Sequence, residues 1–212
     1  MSTTTYTPVR IATVEAVSGI AAAKSRTAAQ DASRSGIWVA IFAITMSFAA
    51  FTSALFVREG SAGDWTHLVL PRIVYANTLA LLMSSVTLHM ASRTVRFRNF
   101  LEPKTVSPVM AWLVATFALG LLFTAGQYEA WRQLAAQGLF LATNPNSSFF
   151  YVFTGMHLLH VLGGMAVLVY LIGQLAGSHT TFRRPAFANT AIYWHFMGVL
   201  WVYLLLVLRA KI

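Results

Sequence analysis

The chain contains no cysteine and few charged residues. Of its 212 residues, 10% are charged and 57% are hydrophobic, whereas about 25% of the residues in a soluble domain are charged. Without cysteine there is no disulfide scaffold, no thiolate ligand for zinc, copper or an iron–sulfur cluster, and no covalent haem attachment. A metal site would therefore depend on the six histidines, the few carboxylates or the methionines.

The basic charge of the chain has a distribution that argues against a nucleic-acid partner. The net charge is +9, but the basic residues flank apolar segments and form neither a stripe nor a tail. We therefore exclude nucleic acid as a partner, and we interpret these residues as topology signals and as contacts to anionic lipids.

Residues 1–34 form a polar segment rich in Thr, Ala and Ser, without the apolar core of a secretion signal. Within it, Ile11, Val14, Val17 and Ile20 follow one another at intervals of three. This spacing fits a short helix on the membrane surface, and the composition fits a disordered tail equally well. We interpret residues 1–34 as a cytoplasmic tail and leave its local structure open.

Five apolar runs follow this segment and predict transmembrane helices at about residues 36–58, 68–92, 108–129, 148–175 and 186–209. Each run is near or above the roughly 20 residues that a helix needs to cross the hydrocarbon core. Their continuous apolar character indicates helices, because the strands of a membrane barrel would alternate polar and apolar residues. The sequence therefore predicts an all-α, polytopic membrane protein in which residues 35–212 form a bundle of five transmembrane helices.

The distribution of Lys and Arg predicts the orientation of the bundle. The N-terminal segment and the loops after the second and fourth helices must share one side of the membrane, and they carry ten of the fifteen basic residues. These ten are Arg10, Lys24, Arg26, Arg34, Arg93, Arg96, Arg98, Lys104, Arg183 and Arg184. The positive-inside rule then places the N-terminus inside and the C-terminus outside. Trp65, Trp131 and Trp201 lie near the predicted outer surface, where we expect interfacial aromatic residues.

Polar residues within the apolar runs need partners, because an isolated polar group is costly in lipid. We interpret Asn77, Ser84, Ser85 and Gly163 as residues that allow close helix packing and hydrogen bonds between helices. His157 lies three residues before a second histidine on the same helix face, which fits either cofactor ligands or hydrogen-bonded packing residues.

Two functional alternatives follow from these polar residues. His160 and His195 lie at depths that differ by only a few ångströms at 1.5 Å per residue, so a b-type haem between the last two helices stays open. A proton path through this chain alone is disfavoured, because the middles of all five runs lack Asp, Glu, Lys and Arg. Glu129 lies near the end of the third run.

The segment Phe149–Gly164, FFYVFTGMHLLHVLGG, resembles the most characteristic stretch of cytochrome c oxidase subunit III. The family pattern there is Thr-Gly-x-His-x-x-His-Val followed by glycine. It matches Thr154, Gly155, His157, His160 and Gly163 of this chain.

Three further segments resemble the same family in the same order. The segment Tyr193–Leu208 is similar to the closing helix of the family, Leu70–Ala91 to its proline-led helix, and Gly120–Trp131 to its glutamine-containing helix end. The matching polar residues are Asn77, Ser84, Ser85, Gln127, Glu129, Tyr193, Trp194 and His195. The resemblance covers about residues 36–209 and points to the short bacterial form with five helices, which lacks the first two of seven.

The resemblance implies a non-redox accessory subunit of a bacterial haem–copper cytochrome c oxidase in the inner (plasma) membrane. Such a subunit would support oxygen reduction and proton pumping through assembly, lipid holding, sustained turnover and proton uptake. The resemblance implies that this chain has no catalytic, cofactor-binding or metal-binding residue and that haem and copper lie in partner subunits. It also implies bound phospholipid. The expected partners are subunits I and II, with other respiratory complexes as further candidates. A subunit of a quinol oxidase or nitric oxide reductase, and a stand-alone b-type cytochrome or membrane anchor, stay open as alternatives.

The chain departs from the family pattern at three carboxylates. Ile44 stands where the family usually has Glu, Gly198 stands where it usually has Asp, and Glu129 is offset by one position. The functions of those family carboxylates therefore do not carry over. We further predict that His157, His160 and His195 join the fourth and fifth helices into one unit.

Overall fold

The computed structural model describes residues 9–61, 70–97, 103–177 and 184–211, and they form five α-helices. The helices are α1 (Val9–Ser61), α2 (Ile73–Phe97), α3 (Pro103–Ala136), α4 (Pro145–Gly177) and α5 (Arg184–Lys211). Each contains a stretch that is long and apolar enough to cross a membrane. The predicted all-α fold with five membrane spans is confirmed, and the orientation in the membrane stays a prediction.

The first helix is much longer than the membrane span within it. That span covers Arg34–Ser61, and the helix continues from it toward the N-terminus as far as Val9. The stretch from Ile11 to Ile20, for which we left two interpretations open, is therefore helical and continuous with the span. Residues 1–8 of the predicted tail lie outside the described residues.

The helix α2 begins later than the apolar run predicts. We expected it to start near residue 68, but Leu70 and Pro71 precede the helix, and residues 68 and 69 lie outside the described part. The first turn forms when the Val74 backbone N–H donates to the Pro71 carbonyl, with N and O 3.1 Å apart. A proline suits this place, because the N–H that it lacks has no partner in the first turn of a helix.

The helix α3 extends beyond its apolar run and ends at a glycine cap. The backbone N–H of Leu139 bonds the carbonyl of Leu134 at 3.1 Å, and that of Gly138 bonds Ala135 at 3.0 Å. Gly138 has a φ of 76°, a conformation that favours glycine. Together these bonds form a Schellman motif. The predicted end at residue 129 was therefore seven residues short, because an apolar run stops where the lipid stops and a helix can continue past it.

From α2 to α5 each helix packs antiparallel to the next one along the chain, and α5 occupies a central place. It packs against α1, α2 and α4, while α3 packs between α2 and α4. The core contains large buried rings, including Phe48, Phe123, Phe153, Trp194 and Trp201. The outer surface is also apolar, with exposed side chains that include Phe42, Leu79, Val169, Val199 and Leu206. Such a surface suits lipid or the helices of a partner subunit.

The predicted interfacial tryptophans do not share one environment. Trp201 is 1% exposed and belongs to the core, so its placement at the outer surface was wrong. A tryptophan usually lies at the membrane interface because its indole N–H needs a hydrogen-bond acceptor. Trp201 has an acceptor inside the bundle, the Thr78 hydroxyl. Trp131 is half-buried, and Trp65 lies outside the described residues.

Candidate functional site

Three buried polar side chains from three different helices form the centre of the candidate site, which we call the polar layer. Its members are Asn77 on α2, Gln127 on α3 and His157 on α4. Their exposed fractions are 4%, 0% and 0%. All three are residues that the resemblance singled out from the sequence.

The polar layer lies at one depth in the bundle. Asn77 is directly opposite Gly126, since a Cβ atom added at Gly126 would lie 1.9 Å from Asn77 Oδ1. On the next interface, the Trp131 Nε1–H donates to Thr154 Oγ1 at 3.0 Å. Because α3 and α4 are antiparallel, the residue one turn before Trp131 is level with the residue one turn after Thr154. This places Gln127 within a few ångströms of the depth of His157.

Aromatic rings enclose the imidazole of His157. Its ring centroid lies 5.0 Å from that of Trp201 and 5.9 Å from that of Phe123. The rings of Trp201 and Phe123 meet edge to face at 4.9 Å. The indole N–H of Trp201 donates to Thr78 Oγ1 at 2.9 Å, which joins α5 to the same level of α2. All of α2, α3, α4 and α5 therefore contribute side chains at this depth.

Five polar atoms of the layer have no hydrogen-bond partner among the described residues. They are Asn77 Nδ2, the amide oxygen and nitrogen of Gln127, and both ring nitrogens of His157. Buried polar atoms in folded proteins nearly always have a partner in the protein or in ordered water. The layer therefore differs from the other interhelical contacts of this chain.

A second group of the predicted residues joins α2 to α5. The Trp194 Nε1–H donates to Ser84 Oγ at 2.9 Å. One turn further along α5, Gly198 faces Ser85, whose Oγ would be 3.2 Å from a Cβ added at the glycine. The close approach of the two helices at this point explains why a small residue occupies position 198.

We predicted that His195 joins α4 to α5, and the ring contact that the structure shows for it is with α2. Its ring centroid lies 6.2 Å from that of His89 on α2, so its ring contact connects α5 with α2. His157 does contact α5 through Trp201. His160 contacts α5 through its backbone, because the Tyr193 hydroxyl donates to the His160 carbonyl at 2.9 Å. Two of the three histidines therefore contact α5, one of them through its main chain, and the joining of α4 and α5 into one unit stays a prediction.

The imidazole of His160 lies on the α1 side of α4. Its centroid is 6.0 Å from the ring of Phe48, and Nδ1 lies 2.6 Å from the carbonyl oxygen of Met156 on its own helix. Since His195 contacts α2 and His160 contacts α1, the two imidazoles do not face each other across a common space. This geometry argues against the haem alternative, which requires them as a facing pair.

Three further predicted residues, Thr154, Gly155 and Glu129, lie toward the end of the bundle where α3 finishes. Thr154 accepts the Trp131 hydrogen bond, and a Cβ at Gly155 would be 3.9 Å from the same indole. Glu129 lies 3.5 Å from Arg132 and 3.3 Å from Gln133 on its own helix. It is a partly exposed group near a helix end and does not belong to the polar layer.

An apolar groove of about 450 Å³ lies between α1, α4 and α5, toward the end of the bundle where α5 begins. Its lining includes Gly36, Ala40, Gly163, Val167 and Tyr193. A Cβ added at Gly163 would have no neighbour within 4 Å, so this glycine borders open space, unlike Gly164 beside it, which packs on Trp194 and Tyr193. The groove can accommodate an apolar chain.

Several contacts between helices were not predicted from the sequence. Thr78 and Trp201 form a bond between α2 and α5, Thr87 and Thr116 bond α2 to α3 at 2.8 Å, and Tyr203 donates to Thr52 of α1 at 3.0 Å. The hydroxyl groups within apolar runs were the available signal, since such groups seek partners on neighbouring helices. In the described part of the chain, no three His, Asp or Glu residues come together as a metal-binding group.

The chain is similar to one known family along nearly its whole length. The sequence model of cytochrome c oxidase subunit III matches residues 19–210. The probable cytochrome c oxidase subunit 3 of Mycobacterium bovis is 33% identical over 169 residues, which cover 76% of this chain and 77% of that protein. The cytochrome c oxidase subunit 3 of Alkalihalophilus pseudofirmus is 29% identical over 174 residues, with coverage of 80% and 82%. That of Thermostichus vulcanus is 28% identical over 177 residues, also with coverage of 80% and 82%.

Proposed function

Since the chain belongs to the cytochrome c oxidase subunit III family, we propose that it supports the catalytic subunit of a bacterial oxidase as a packing and lipid-holding partner. The complex reduces oxygen with electrons from cytochrome c and pumps protons. Haem and copper lie in its other subunits, I and II. The chain resides in the bacterial inner membrane with its N-terminus in the cytoplasm.

The observation that carries this proposal is how the bundle uses its polar groups. Tryptophan, tyrosine and threonine side chains bond between helices, as in the pairs Trp194–Ser84, Trp131–Thr154 and Tyr203–Thr52. The outer surface is apolar. A bundle whose helices are hydrogen-bonded to one another and whose outer surface is apolar is suited to pack as a rigid unit against another membrane protein.

The apolar groove supports the lipid-holding part of the proposal. Small residues from α1 and α4 line it, which leaves room for an acyl chain. Arg34, whose side chain is exposed, lies two residues before Gly36 at the end of the groove and can attract an anionic headgroup. We propose that a phospholipid occupies this groove and slows inactivation of the oxidase during turnover.

Co-purification tests the proposed function. The full chain, with an affinity tag on its N-terminus, would be expressed in its host and extracted in a mild detergent. We expect oxidase subunits I and II, a haem spectrum and oxygen consumption with reduced cytochrome c. Recovery with a quinol oxidase or nitric oxide reductase, or a Soret band from the chain freed of partners, would contradict the proposal.

A matched pair of glycine variants tests the lipid. Gly163→Phe fills the groove, whereas Gly173→Phe adds the same ring on the same helix at a position where a Cβ meets nothing within 4 Å. We expect only the first variant to lose tightly bound phospholipid, measured by mass spectrometry of the purified complex, and to inactivate faster. The groove does not hold a lipid if the Gly163→Phe complex retains its phospholipid. The same conclusion follows if this variant retains phospholipid but no longer binds subunits I and II.

A further inference from the structure

The polar layer combines deep burial with unused hydrogen-bonding capacity. Gln127 is fully buried, and neither its amide oxygen nor its amide nitrogen has a partner in the described chain. The same holds for both ring nitrogens of His157 on the neighbouring helix. In a membrane bundle such atoms cannot turn to bulk water, so a partner has to lie inside the protein.

Packing prevents these side chains from rotating toward other hydrogen-bond partners. The ring of His157 is packed against Phe123 and Trp201, so its plane is fixed by two other rings. Asn77 is fixed by Gly126, whose backbone it contacts closely. The nearby hydroxyl of Thr78 already accepts the bond from Trp201 and donates to the Val74 carbonyl at 2.9 Å.

The chemistry of the three side chains matches water. A primary amide both donates and accepts, and a neutral imidazole has one donor and one acceptor nitrogen. Water supplies two donors and two acceptors, and a buried water molecule usually makes about three hydrogen bonds to protein groups. An ion would require charged ligands, and the layer has none.

We propose that the polar layer is an internal hydration site, in which one or more water molecules bridge Asn77, Gln127 and His157. The bridging water joins α2, α3 and α4 at one depth, roughly 15 Å inside the end of the bundle where α3 and α5 finish. It supplies the partners that these atoms lack. The site depends only on this chain and would exist whichever complex the chain joins.

The first test is a map of the full chain, with its bound partners, at a resolution that shows ordered water. We expect a density peak within about 2.6–3.2 Å of polar atoms from at least two of the three side chains. Direct bonds among the three side chains without such a peak would overturn the proposal, as would a lipid or partner residue in its place.

The second test uses apolar substitutions of nearly the same size. Their effect on the Tm has opposite signs for a polar layer that contains water and for one that contains none. Gln127→Met removes a partner of the bridging water, and we expect it to lower the Tm by about 3–8 °C. Asn77→Leu should act in the same direction, and the double variant should lose less than the two single losses combined. In a dry layer the same substitutions remove an unpaired buried amide, so the Tm would stay the same or rise.

Gln133→Met is the control for the second test. It makes the same change on the same helix, but Gln133 is partly exposed and bonds Glu129 on its own helix. We expect a Tm change of less than about 2 °C. A Gln127→Met variant that melts at or above the wild-type temperature would overturn the hydration site.

Discussion

The close contact between Gly126 and Asn77 makes Gly126→Ala the most informative single substitution in the bundle. The new Cβ would lie 1.9 Å from Asn77 Oδ1 and 2.8 Å from its Cγ, distances that the packed structure cannot keep. Asn77 is 4% exposed and has little space to move into. Separating α2 from α3 would also strain the bond between Thr87 and Thr116, ten residues along both helices.

The expected loss follows from the cost of overpacking a core. Such substitutions typically cost about 1–3 kcal/mol. For a domain of this size, 1 kcal/mol changes the Tm by about 2–4 °C. We therefore expect Gly126→Ala to lower the Tm by about 3–10 °C, although alanine is the better helix former by about 1 kcal/mol.

A thermal assay on the tagged full chain in detergent-solubilised membranes measures this loss. Aliquots are heated, and the folded fraction is followed by size-exclusion chromatography with a fluorescent tag. Gly163→Ala is the control, because a Cβ there meets nothing within 4 Å and its Tm should be unchanged or slightly higher. Asn77→Ala should restore part of the stability that Gly126→Ala loses. The reasoning is refuted if Gly126→Ala melts like the wild type, or if the double variant loses the full effect of both substitutions.

Three further substitutions separate the kinds of contact between helices. Trp201→Phe keeps a ring against His157 and removes the bond to Thr78; we expect a loss of about 0.5–1.5 kcal/mol in the thermal assay, and no further loss from adding Thr78→Val. Tyr193→Phe should weaken the contact of α4 with α5 and lower the Tm. His160→Leu should retain the Tyr193 hydrogen bond, because its acceptor is the backbone carbonyl of residue 160. Tyr193→Phe should therefore cost the same in the wild type and in His160→Leu, and a smaller loss in His160→Leu would contradict this assignment. Glu59→Gln should cost at most about 1 kcal/mol and lose its effect in high salt, since Lys211, at 2.9 Å, and Glu59 are each more than a quarter exposed.

The sequence was sufficient to predict the five spans but not the way in which each helix faces its neighbours. Long apolar runs identify a span because only a helix can satisfy the backbone in lipid. The same runs are apolar on the face toward lipid and on the face toward the bundle, so no hydrophobic stripe indicates the rotation of the helix. Trp201 was therefore placed at the interface although it is buried, and the contact of the His195 ring with α2 was not predicted.

The candidate site was predictable to the extent that polar groups in apolar runs must have partners. This reasoning identified Asn77 and His157, the family resemblance added Gln127, and all three are buried. It could not show that they lie at one depth, because depth depends on where each helix starts and on the register between antiparallel neighbours. The late start of α2 brings Asn77 nearer to the end of its helix, and the extension of α3 past residue 129 places Gln127 further from the end of its helix than the apolar runs predict.

The two positions where the family usually has a membrane carboxylate are packed contacts in this chain. Ile44 is 8% exposed and belongs to the core cluster. Gly198 lies so close to Ser85 that a Cβ alone would be 3.2 Å from the hydroxyl oxygen, and a carboxylate there would displace the Ser85 hydroxyl. An acid at either position would therefore disturb helix packing as well as add charge. Under the proposed function, protons would enter the catalytic subunit through groups outside these two positions, and this chain would contribute by fixing helices and lipid beside it.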